Sequence, residues 1–98
     1  MQKFYVSIFI LFLSLSFYAQ ESTAPENVTT FDIFSPELKV QKKIWVYLPK
    51  DYDNSDKNFP VIYMHDAQNL FDKKTSFAGE WEVDETLNKM NAQLIIIG

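Results

Sequence analysis

The sequence predicts an incomplete α/β unit, and three observations carry that reading. Phe59-Pro60-Val61-Ile62-Tyr63-Met64 and Leu94-Ile95-Ile96-Ile97 are apolar without alternation, as strands are when helices cover both faces of a sheet. Between them Val83, Leu87 and Met90 recur at i, i+4 and i+7, the spacing of one helix face. Strand, helix and strand in that order make a parallel β-α-β unit. Two doubly covered strands need more shielding than one helix supplies. The remaining layers are therefore expected beyond Gly98 or on a partner chain, and the chain is expected to be truncated.

Two lead-in strands are expected before that unit. Val28 to Ser35 is rich in β-branched and aromatic residues, and Ser35-Pro36-Glu37 ends it because proline cannot donate to a ladder. Lys42 to Leu48 alternates, with Lys43, Trp45 and Tyr47 on one side and Ile44, Val46 and Leu48 on the other, which predicts a half-buried strand closed by Pro49. Asp51 to Asn58 is polar apart from Tyr52 and reads as an exposed turn. The helix is expected over Trp81 to Met90. Glu80, Glu82, Asp84 and Glu85 load its start with negative charge, Lys89 lies near its end, and Glu85 with Lys89 forms an i, i+4 pair.

The chain opens differently. After Met1-Gln2-Lys3, the run Phe4 to Tyr18 is apolar except for Ser7, Ser14 and Ser16. One positive charge followed by a stretch shorter than the roughly 20 residues of a membrane span predicts a signal peptide over residues 1–19, cleaved after Ala19. An uncleaved membrane anchor is the competing reading. Export to the periplasm or the exterior is the expectation, with no stable membrane span after cleavage. Residues 20–27 are polar with one proline and read as a flexible lead-in. Asn27-Val28-Thr29 matches a glycosylation acceptor, a triplet common by chance.

Loss of Lys3 with the leader leaves 8 basic against 13 acidic residues. No basic stripe remains to follow a phosphate backbone, so nucleic acid is not an expected partner. The chain has no cysteine, which excludes disulfides and thiolate metal sites. Such a domain depends on its apolar core alone.

Reactive loops in parallel sheets lie at the carboxyl ends of strands, where His65-Asp66-Ala67-Gln68-Asn69-Leu70-Phe71-Asp72 follows the first apolar strand. That run, together with Ile44 to Pro49, Asp51-Tyr52, Ser76 to Trp81 and Asp84-Glu85, resembles the start of the Putative esterase family, the esterase D or enterochelin-esterase-like branch of the α/β hydrolases. The resemblance covers Val28 to Gly98. It implies that residues 28–98 are the N-terminal part of a larger, mostly parallel α/β-hydrolase sheet. It also implies ester hydrolysis by a serine, an acid and a histidine, with the serine in a Gly-x-Ser-x-Gly elbow after the next strand. No such motif occurs in the sequence, so no catalytic residue is assigned within this chain, which is expected to be inactive by itself.

By the same resemblance, the loop after the third strand supplies one backbone N–H of an oxyanion hole. Asp66, Ala67 and Gln68 are the candidates, and the family most often has glycine where Ala67 stands. His65 matches a histidine that shapes this loop; a role as base is disfavoured, since no nucleophile is in reach. The implied substrate is a small-molecule or carbohydrate-linked ester, with no cofactor.

Two further patterns weigh less. Asp51, Asp53, Ser55 and Asp56 begin like a calcium loop, but Asp56 and Ile62 stand where glycine and glutamate are required, so a solvated turn is the better reading and no metal site is assigned. Trp45, Tyr47, Tyr63 and Trp81 could stack sugars, although buried strand and helix aromatics are the plainer interpretation. They support the alternative function, a non-catalytic exported glycan-binding or interaction module.

Overall fold

The computed structural model describes residues 21–98, so the expected signal peptide and its cleavage point lie outside the described residues. No helix among the described residues is long and apolar enough to cross a membrane. Four strands form one mixed sheet: β1 (Val28–Ser35), β2 (Val40–Tyr47), β3 (Val61–Tyr63) and β4 (Ile95–Ile97), in the spatial order β1-β2-β4-β3. The single α-helix among the described residues, α1 (Val83–Lys89), connects β3 to β4. These two strands run parallel, with Val61 opposite Ile95 and Tyr63 opposite Ile97. The expected β-α-β unit is present.

β1 and β2 pair antiparallel along their whole length, from Val28 opposite Tyr47 to Ser35 opposite Val40. Asp32 and Lys43, partners in that register, lie 3.7 Å apart at the surface, where such a pair is worth little. β2 then meets β4 antiparallel at Val46 and Tyr47, and mutual 2.9 Å bonds between Trp45 and Gly98 extend the ladder. Only this end of the hairpin is packed. The two sides of β2 differ as an alternating strand should, and it is the Trp45 and Tyr47 side that is buried while Ile44, Val46 and Leu48 are half-buried; Phe31, Ile33 and Phe34 stay exposed.

The core consists of Val28, Trp45, Tyr47, Leu70, Phe71 and Ile96. Leu70 and Phe71 come from the loop segment after β3, outside the strands and the helix. The Phe71 ring lies 6.1 Å from Trp45 and 6.3 Å from Tyr47, nearly parallel to the latter, a separation within the favourable range for aromatic pairs. Ile96 is buried as expected, but the expected interior strand β3 is an edge whose Val61, Ile62 and Tyr63 are all exposed. The reason is layer count: α1 and the Leu70-Phe71 segment shield the middle of the sheet, and no described element covers β3.

α1 is shorter than predicted. Glu82 stands at φ 56° just before it, and the helix ends in paired bonds from Asn91 N–H to Asn88 O and from Ala92 N–H to Leu87 O. This Schellman arrangement places Asn91 in the left-handed region at φ 49°, a position asparagine tolerates better than most residues. Val83 and Leu87 pack against the core, but Met90 lies past the end of the helix and is exposed. The expected Glu85–Lys89 pair does not form. Among the described residues Asp32–Lys43 is the one ion pair, and Glu85 lies instead against Asp84 and Glu80.

The segment expected as a flexible lead-in has no regular structure but is tied down. Ser22 Oγ and Thr23 N–H donate to the Asp72 carboxylate at 2.6 and 2.9 Å. Further along, Asn27 Nδ2 donates to Leu48 O and to Asn88 Oδ1, each at 2.9 Å, and Tyr47 Oη donates to Asn88 Oδ1 at 2.8 Å. Asn27, Asn88 and Tyr47 thereby join the lead-in, α1 and β2. An Asn27 amide engaged in this way is poorly placed to accept a glycan.

Candidate functional site

The loop after β3 is built by a change of backbone hand. Met64 N–H still extends the parallel ladder, donating to Ile97 O at 2.9 Å. His65 follows, exposed, and Asp66 turns the chain at φ 57°, ψ 43°. A 3-10 turn over Ala67–Asn69 then delivers Leu70 and Phe71 into the core. Aspartate is among the few residues that visit the left-handed region readily, so Asp66 suits the sharp turn.

Carbonyls in this segment are occupied. Asp66 O and Ala67 O accept from Asn69 N–H and Leu70 N–H at 2.9 and 3.2 Å. Thr75 Oγ1 donates to Gln68 O at 2.7 Å, Trp81 N–H donates to Asn69 O at 2.7 Å, and Phe77 N–H donates to Asn69 Oδ1 at 2.9 Å. The backbone N–H groups of Asp66, Ala67 and Gln68 donate to no other described residue. The first donors of a helical turn have no partner within it, and such groups can receive a negatively charged oxygen.

Ala67 does not require glycine's freedom, since it is absent from the residues with positive φ. Its constraint is contact. A methyl group placed on Gly98 would lie 2.6 Å from Ala67 Cβ and 3.4 Å from Met64 O. With alanine in the loop, the residue after β4 must therefore lack a side chain. Gly98→Ala is expected to cost about 1–3 kcal/mol through overpacking. Adding Ala67→Gly should restore at least half of that loss, a coupling measurable by urea denaturation of the single and double variants. Additive losses would show that the two residues do not meet.

The other predicted features separate. The turn Tyr52–Asn54 is exposed and built on Asp51 and Ser55, as a solvated turn would be. The proposed aromatic platform does not assemble, because Trp45 and Tyr47 belong to the core while Tyr63 and Trp81 are exposed. Two open grooves of about 360 Å³ lie elsewhere, one on α1 along Glu82, Glu85, Thr86, Lys89 and Met90, the other beside Pro25, Asn27 and Asn88.

The sequence places Asp72 in the loop after β3 and Asp84 at the start of the helix, but it does not show that both are buried. Asp72 also receives Lys74 N–H at 3.0 Å. Burial raises its pKa, but the donors Ser22, Thr23 and Lys74 outweigh that and hold it below the usual carboxylate range. The available signal was its position directly after two apolar residues in a short run; that pattern does not reveal burial.

No curated protein and no solved structure matches the chain. A family described as Putative esterase matches residues 35–98, from the last residue of β1 through β4 and well over half of the chain, and the chain accordingly belongs to that family.

Proposed function

We propose that the chain is the N-terminal portion of an exported serine esterase that hydrolyses small-molecule or carbohydrate-linked carboxylic esters, and that it is inactive by itself. One observation supports this beyond family membership: the acceptor-free N–H groups of Asp66, Ala67 and Gln68 stand at the carboxyl end of a parallel strand, where such enzymes place chemistry. Ester hydrolysis develops negative charge on the carbonyl oxygen as the nucleophile adds. One backbone donor aimed at that oxygen contributes about 2.7–4 kcal/mol to the barrier reduction. In this reading His65 shapes the loop and carries no proton.

The chain's only glycines are Gly79 and Gly98, so it holds no Gly-x-Ser-x-Gly elbow. The nucleophile and its partners would follow in the parent protein, which would be released to the periplasm or the exterior after loss of residues 1–19. The full chain is expected to show no turnover of p-nitrophenyl acetate above buffer and no serine labelling by a fluorophosphonate. Turnover abolished by substituting one of its own serines would overturn the inactive-portion reading. A coding sequence without a Gly-x-Ser-x-Gly frame downstream of the Gly98 codon would overturn the parent-enzyme reading.

A second reading rests on Tyr63 and Trp81, the two platform aromatics that stay exposed: a non-catalytic exported glycan-binding or interaction module. It predicts a monomer with a cooperative melt and saturable oligosaccharide binding. The esterase reading predicts association through the uncovered β3 edge.

A further inference from the structure

The strongest unexplained feature lies away from the β3 loop. Asp84, on α1, is 1% exposed, and neither of its carboxylate oxygens has a hydrogen-bond partner. A carboxylate buried this deeply without a partner is costly as an isolated charge. Glu80 and Glu85 each bring a carboxylate oxygen to it, all within 4.8 Å of one another.

Glu80 is oriented from outside. Thr23 Oγ1 donates to its Oε2 at 2.9 Å, while Oε1 is buried without a partner. Glu85 is exposed and forms the solvent side. No lysine among the described residues comes within ion-pair distance of the three; Lys73 acts on Glu85 only from farther off, and the chain has neither arginine nor a second histidine. Burial, followed by the neighbouring Glu85 carboxyl, pushes Asp84 up to about 8. Three carboxylates in this arrangement need either shared protons or a cation.

We propose that Glu80, Asp84 and Glu85 form a divalent-cation site suited to calcium, with water completing the shell on the Glu85 side. An all-oxygen, all-carboxylate donor set selects hard cations. Ligands on opposite sides of calcium stand up to about 5 Å apart, against about 4 Å around magnesium, so this cluster accommodates calcium without contracting. The ion would fasten three pieces of chain: the lead-in through Thr23 and Glu80, the segment before α1 through Glu80, and α1 itself through Asp84 and Glu85. In the sequence these acids load the start of the helix, Glu85 is spaced to pair with Lys89, and all three belong to the family-like motif; their meeting in one cluster is seen only in the fold. The site is separate from the β3 loop and does not depend on ester hydrolysis.

The test is a titration of the chelator-stripped full chain near neutral pH with calcium chloride, followed by calorimetry and thermal melting. A parallel titration uses terbium chloride, whose luminescence the indole of Trp81, next to Glu80, sensitises. The expected result is one calcium ion per chain, a raised melting midpoint, and weaker binding of magnesium. Asp84→Asn and Glu85→Gln should each weaken calcium binding roughly ten-fold or more. Glu85 is exposed, so Glu85→Gln carries the test if Asp84→Asn does not fold. No saturable binding up to about 10 mM calcium, beyond the range of weak extracellular sites, would overturn the proposal and leave a proton-sharing trio. Binding that both variants leave unchanged would place the ion elsewhere and overturn it equally.

Discussion

Phe71→Ala is expected to unfold the chain or leave it barely folded. Phe71 is 0% exposed and packs against the rings of both Trp45 and Tyr47, so truncation removes a central member of a core of six buried residues. Losses at comparable sites run to about 3–5 kcal/mol. A small domain has only about 5–15 kcal/mol in total and sits near the lower end. The neighbours have little means of closing the gap, because Trp45 and Tyr47 are fixed by strand pairing to β1 and β4. Far-ultraviolet circular dichroism with urea titration measures the effect. Phe77→Ala is the control: Phe77 is 95% exposed, and its loss should fall within about 0.5 kcal/mol of zero. Similar results for the two variants would refute the assignment of the core.

Asp72→Asn is expected to cost about 2–3 kcal/mol above pH 5, since three donors lose a charged acceptor, and its effect should depend on pH in a definite direction. The Asp72 pKa lies below its ordinary 3.8 in the folded state, so between the folded and unfolded values the unfolded chain binds more protons. The stabilisation is complete above the unfolded value near 3.9 and disappears as pH falls through the folded one. The gap in melting midpoint between wild type and Asp72→Asn should therefore be steady above about pH 5 and narrow below about pH 4. A gap that widens in acid would show that the carboxylate is not held ionised. The variant should also free Ser22 and Thr23, making the peptide bonds around them more susceptible to limited proteolysis.

Much of the fold was legible because local signals agreed. The period-2 pattern located β2 and separated its two faces, and the i, i+4 spacing located α1 against the core. Runs that were apolar on both faces identified β3 and β4, and their parallel pairing followed from the helix between them. Burial was less legible. Val61 to Tyr63 has the composition of an interior strand but lies at an edge, because composition records what a strand can be covered by and not whether the cover is present. Leu70 and Phe71 are an isolated apolar pair among polar residues with no periodicity to mark them, and their burial follows from the turn at Asp66.

The candidate site divides in the same way. The position of the Asp66, Ala67 and Gln68 loop after a parallel strand could be read from residue order, and family membership agrees with the motif that suggested it. The contact between Ala67 and Gly98, the anchoring of Ser22 and Thr23 by Asp72, and the meeting of Glu80 with Asp84 and Glu85 could not. By itself, the sequence determined the strand-helix-strand order, the family and the lack of a nucleophile elbow, since each is a property of neighbouring residues along the chain. Tertiary structure decided which acids are buried, which side chains form the core and which strand lies uncovered. Those outcomes depend on residues tens of positions apart sharing one water-excluded space, where packing and desolvation act on the assembled set.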